Sequence, residues 1–156
     1  MSFDMFVLMI RNDGKDCFER AIAERAFASV VEDVQESDWT CHDDDDVGTH
    51  ILIGGLDTDD EAEMIDGFSI NRPPTYDHRP EFWNALFEVL RQTRTFLMWP
   101  DDGPGPTYCI ANVDLEKEFP AEYIADFGRP AVISCGADIV AILDGNWPPG
   151  SVKSAQ

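Results

Sequence analysis

The chain has 156 residues and a mass of 17.5 kDa, with 44% hydrophobic residues, which suits one globular domain that buries about 68–70% of its unfolded surface without disulfide or metal staples. Its 11 Lys and Arg stand against 31 Asp and Glu, a formal net charge of −20. That balance argues against nucleic acid and anionic membrane as partners, because binding to phosphate draws on Lys and Arg, and it points instead to a basic protein surface or a cation.

The N-terminal segment has no basic leader, and its apolar run from Met5 to Ile10 is too short for a secretory core or a membrane span. The cysteines at 17, 41, 109 and 135 are far apart and form no CxxC. Reduced thiols and a cytoplasmic location are therefore expected.

In chain order, Phe3 to Ile10 is predicted as a central strand closed by the turn residues Arg11-Asn12-Asp13-Gly14. Phe18, Ile22, Ala26, Val30 and Val34 recur at four-residue spacing, which predicts a helix over about 15–35. Two strands should flank the acidic turn Asp43 to Asp46, the first around Trp39 and Cys41, the second from Thr49 to Ile53. A second acidic loop, DTDDEAE at 57–63, precedes an alternating strand from Met64 to Ile70, which Arg72-Pro73-Pro74 ends. Between Pro80 and Gln92, the residues Phe82, Trp83, Leu86, Phe87 and Leu90 mark the broad apolar face of a helix, with Asp77 as a plausible cap. Strands at 95–99 and 107–113 should form a hairpin across DDGPGP. A short helix should run from Pro120 to Gly128, with a strand over Ala131 to Cys135 and an element of open type over Ile139 to Leu143.

Helices and strands mix without a regular βαβ rhythm. The expected fold is a single α+β domain over residues 1–147, with a mixed or antiparallel sheet of about five or six strands and two main helices. A flavodoxin-like α/β arrangement is the alternative. Residues 148–156 read as a flexible tail.

From Arg25 to Arg72 there is no intervening Lys or Arg, while fourteen acids fall in the same stretch. The densest are Asp43, Asp44, Asp45 and Asp46, then Asp57, Asp59, Asp60, Glu61 and Glu63. Crowded carboxylates repel by about 0.7 kcal/mol per pair at 6 Å in water, so a cationic partner would relieve them. A solvated face that only keeps the chain soluble is the other reading. Calcium does not fit, because an EF-hand loop begun at Asp57 has Ala62 at its glycine position, and one begun at Asp43 has Gly54 at its glutamate position.

Cys41, His42, Asp43 and His50 include soft and imidazole ligands, but their spacing matches no zinc pattern. Ser134-Cys135-Gly136 lacks a local base, Asp126-Phe127-Gly128 lacks every other kinase segment, and Gly103-Pro104-Gly105 is turn chemistry. No catalytic residue, metal or cofactor is assigned. The proline-fixed loops carrying Tyr76 and Trp99 suit aromatic anchors for a partner.

Phe68-Ser69-Ile70-Asn71-Arg72-Pro73-Pro74, Phe82-Trp83, Leu97-Met98-Trp99-Pro100, Pro120, Gly128, Pro130 and Ile133 together resemble small acidic bacterial immunity proteins of polymorphic or contact-delivered toxin systems. The resemblance implies a noncatalytic cytoplasmic inhibitor that covers the active site of a basic toxin such as a nuclease. Two other functions compete with it: an enzyme or small-ligand or metal-binding protein with a carboxylate–histidine site, and a housekeeping scaffold with a solvated acidic face.

Overall fold

A computed structural model describes residues 4–10, 17–35, 37–41, 48–53, 63–74, 79–100 and 105–146. The fold is α+β. Its strands are β1 (Asp4–Met9), β2 (Phe18–Glu19), β3 (Asp33–Gln35), β4 (Asp38–Cys41), β5 (Thr49–Ile53), β6 (Met64–Ile65), β7 (Gly67–Asn71), β8 (Thr95–Met98), β9 (Tyr108–Ile110) and β10 (Ala131–Val132). The helices are α1 (Arg20–Phe27), α2 (Pro80–Gln92), α3 (Ala121–Phe127) and α4 (Gly136–Leu143), with a 3-10 helix over Val113–Glu118.

Among the described residues, eight strands form one sheet in the order β10-β9-β8-β1-β7-β5-β4-β3, and β2 pairs with β6 in a separate ribbon. Every pairing in the large sheet is antiparallel except that of β10 with β9. A doubly wound flavodoxin-like sheet is thereby excluded, since it would be mostly parallel. The sheet is wider than the five or six strands expected, and four α-helices stand where two main ones were expected.

Side chains alternate across the sheet, so each strand contributes to both faces. Met5, Val7, Phe68, Ile70, Ile51, Ile53, Trp39 and Leu97 face a layer made by α1, α2 and α4, where Phe27, Phe82, Trp83, Leu86, Ile139 and Ile142 complete the main core. On the opposite face, among the described residues, the 3-10 helix and α3 cover the β8–β9 end. There Ile10, Phe96, Tyr108, Ile110, Leu115 and Phe119 form a second core, joined by Tyr123 and Ile124. Tyr108 lies 5.3 Å from both the Phe119 and Tyr123 rings, and its hydroxyl donates to the Gly128 carbonyl.

Helix α2 matches its predicted span, with Pro80 in the first turn and Arg79 as N-cap. The proposed cap Asp77 lies outside the described residues. Gly128 closes α3 at a φ of 79°, and its N–H donates to Ile124 O at 2.8 Å, a backbone state that glycine takes at no steric cost.

Helix α1 is much shorter than the predicted 15–35. Phe18 and Glu19 pair with Ile65 and Met64, the Arg20 N–H donates to the Glu63 carbonyl at 2.8 Å, and the chain turns after Phe27. Val34, placed on the helical face by its spacing, sits instead on the short strand β3. The element of open type near Ile139 is helix α4, and β10 stops at Val132 rather than at Cys135.

Helix α4 begins against the backbone of α2. A Cβ on Gly136 would lie 2.5 Å from Asn84 Oδ1 and 2.6 Å from both Asn84 N and Trp83 C. Backbone cannot yield as a flexible side chain can, so Gly136→Ala should destabilise by about 1–3 kcal/mol. A thermal melt should show a midpoint about 5 °C lower, and a change within 1 °C would contradict so close a helix contact.

Candidate functional site

Among the described residues no element covers the part of this face built by β1, β7, β5, β4 and β3, and the strand registers fix which side chains stand in line across it. One row runs Asp33, Thr40, His50, Asn71, Asp4. The next runs Gln35, Asp38, Leu52, Ser69, Phe6, and continues through Met98 to Tyr108 beneath the second core. Leu8 stands beyond them, opposite Gly67 and Phe96.

Phe6, Leu52 and Leu8 are 38%, 37% and 36% exposed. An antiparallel sheet usually turns polar residues to water on its open side, and apolar groups kept there mark a contact surface. None of the five strands contains Lys or Arg, so their formal charges are Asp4, Asp33 and Asp38.

Several arginines instead pair with glutamates elsewhere: Arg20 with Glu24 at 3.1 Å, Arg91 with Glu88 at 2.7 Å, Arg129 with Glu116 at 2.5 Å, and Arg94 with Glu118. The Glu88 carboxyl is held below its ordinary range chiefly by its hydrogen bond from Arg91. Among the described residues, no Arg or Lys is ion-paired with Asp4, Asp33 or Asp38.

Among the described residues, a side-chain polar contact crosses this face between neighbouring strands. His50 Nδ1 lies 2.8 Å from Asp38 Oδ1, between β5 and β4, and each side chain is about a third or more exposed. A carboxylate so placed fixes the imidazole ring and favours a proton on that nitrogen. Among the described residues, no group of three or more His, Cys, Asp or Glu converges to hold a metal. The register also places Cys41 and His50 on opposite sides of the sheet: Cys41 is opposite Thr49 on the core side, whereas His50 is opposite Thr40 on the open side. Burial, with Glu32 adding to it, also pushes the Cys41 thiol up to about 12, so it is not a ready thiolate ligand.

Of the expected partner-binding residues, Asp43, Asp44, Asp45, Asp46, Asp57, Asp59, Asp60, Glu61 and Tyr76 lie outside the described residues, as does His42. Glu63 is exposed beside β6, and its carbonyl receives the first N–H of α1. Trp99 is 4% exposed and belongs to the main core, so its role as a surface anchor is corrected to one in packing. Phe6, Leu8, Leu52 and Asp38 were not singled out from the sequence, and His50 was weighed there only as an imidazole ligand for a metal. The available signal was the unbroken apolar run of β1, which is too hydrophobic for a strand with one wet face.

No helix among the described residues is long and apolar enough to cross a membrane. No family model, curated protein or solved structure matches the chain.

With a net charge of −20, the folded chain repels itself more than the expanded one does, and salt screens this over about 10 Å at 0.1 M. The melting temperature should therefore rise from low salt to a few hundred millimolar sodium chloride. A flat or falling trend would indicate local compensation of the acids.

Proposed function

We propose that the protein is a noncatalytic acidic binding protein that neutralises a basic protein partner, in the manner of an immunity protein acting on a toxin such as a nuclease. The observation that carries this reading is the open sheet face, where apolar side chains are rimmed by aspartates on strands without a single Lys or Arg. Charge steers encounter and rejects wrong partners, while apolar groups that lose water hold the complex. Phe6, Leu8 and Leu52 take the holding role, and the acidic runs at 43–46 and 57–63 extend the steering field. The Asp38–His50 pair supports a second reading, a small-ligand site with a carboxylate–histidine couple.

Binding kinetics on a basic partner recovered by pull-down test the first reading. Asp4→Asn, Asp33→Asn and Asp38→Asn combined should slow association about tenfold at low salt and leave dissociation nearly unchanged. Replacing Asp43 to Asp46 by Asn should act in the same direction, and Leu52→Ser should instead raise the off-rate. An acidic partner, or an on-rate indifferent to salt and to these substitutions, would overturn the reading in favour of the ligand site.

A further inference from the structure

Strand β3 ends the sheet order, with β4 on one side and no further strand on the other among the described residues. Beside it, on the helical side of the sheet, lies a groove of about 380 Å³ lined by Arg20, Glu24, Ala28, Val31, Val34 and Trp39. Helix α1, which supplies Arg20 and Glu24 to the groove, has only eight residues, about 12 Å of length. Val34 stands 59% exposed although it pairs with Trp39, a core residue. Arg20 is held over the Trp39 ring at 5.8 Å and against Glu24 at 3.1 Å, which leaves an apolar floor between Ala28, Val31 and Val34.

We infer that β3 is the docking edge for an extended, basic segment of the partner, which adds to the sheet as a further strand. This rests on the proposed binding of a basic protein and names how that partner engages. An edge strand offers unpaired backbone donors and acceptors, and a pocket beside it selects alternate side chains of the added strand. The alternation dictates the pattern. A side chain directed to the helical side enters the groove next to Val34 and must be apolar, whereas its neighbours fall on the open face beside Asp33 and must be basic. The segment therefore reads basic–apolar–basic. A second copy of the chain is disfavoured at the same edge, because each copy carries a net charge of −20 and Asp33 would face like charge.

The test uses the full chain and a synthetic peptide alternating Lys with Val or Ile. Amide hydrogen exchange should slow at residues 33–35 when the peptide binds. A version N-methylated at alternate positions, which cannot pair on one edge, should bind at least about tenfold more weakly, as should the original peptide to an Ala28→Phe variant with a filled groove. Equal binding of the N-methylated peptide, protection confined to residues 6–8 and 50–52, or no binding at millimolar peptide would overturn strand addition and leave the acidic-binding reading standing. A Glu-for-Lys peptide that binds as tightly would overturn that reading itself. Protection at residues 33–35 that grows with protein concentration alone would assign the edge to a second copy and overturn the inference.

Discussion

Trp99→Ala is expected to lower stability by about 3–5 kcal/mol, as deletion of a buried large aromatic generally does. The indole follows β8, its backbone N–H donates to Thr107 O at 3.0 Å, and its side chain is 4% exposed within the main core. Removing it opens a cavity where the β8–β9 hairpin meets that core, and the surrounding strands cannot collapse to fill it. At about 2–4 °C per kcal/mol for a chain of this size, the melting midpoint should fall by roughly 10 °C. Phe6→Ser provides the contrast, since Phe6 is 38% exposed on the open face and should change the urea midpoint far less. A loss below 1 kcal/mol for Trp99→Ala would contradict the packing of the indole and return it to the surface as a contact residue.

The two roles of these aromatics illustrate how far local pattern carries. Tryptophan in a proline-fixed loop has the same sequence signature whether its ring points to a partner or into the core, and only the pairing of β8 with β1 and β9 decides. The open face was illegible for the same reason. Phe6, Ser69 and Leu52 stand in one row because β1, β7 and β5 are neighbours, although the first and second of these strands are far apart in sequence. His50 and Asp38 meet through the register of β4 with β5. That pair of strands was foreseen, but its register was not.

Elements with strong internal periodicity and terminal signals were legible. Helix α2 carries an amphipathic repeat behind Pro80, and α3 is closed by Gly128. The failures cluster in short or uniformly apolar segments. β2 and β10 have two residues each and β3 has three, too few to display a two-residue period, so tertiary pairing determines them. Helix α4, GADIVAIL, is packed against α2 and apolar through much of its length, which hides the 3.6-residue stripe that marks a surface helix. At α1 the four-residue spacing continues from Phe18 into Val34, but the ribbon with β6 claims the first residues and the sheet edge the last.

Alkali should destabilise the protein steeply, because two thiols are held protonated in the fold. Cys41 is 5% exposed and Cys109 fully buried. Burial pushes Cys41 from its ordinary 9.0 up to about 12 and raises Cys109 further, with the Asp138 charge adding to the latter. Above pH 9 the unfolded thiols ionise while the folded ones do not, so the unfolded state binds fewer protons and stability falls as pH rises. Their contribution is fully present below pH 9 and is lost toward pH 12, at about 1.4 kcal/mol per pH unit for each thiol. Between pH 9 and 11 both thiols act in the same direction, so stability should fall continuously over that range. Tyr108, raised mainly by burial above its ordinary 10.0, acts in the same direction. Urea unfolding at pH 7.5 and 10.5 measures the loss, and Cys109→Ala should lessen its dependence on pH by about one thiol's share. At pH 8 a thiol reagent should modify the exposed Cys17 and Cys135 rapidly, and Cys41 and Cys109 only as fast as the fold opens. Stability independent of pH from 9 to 11, or four thiols reacting at one rate, would contradict the burial of these two side chains.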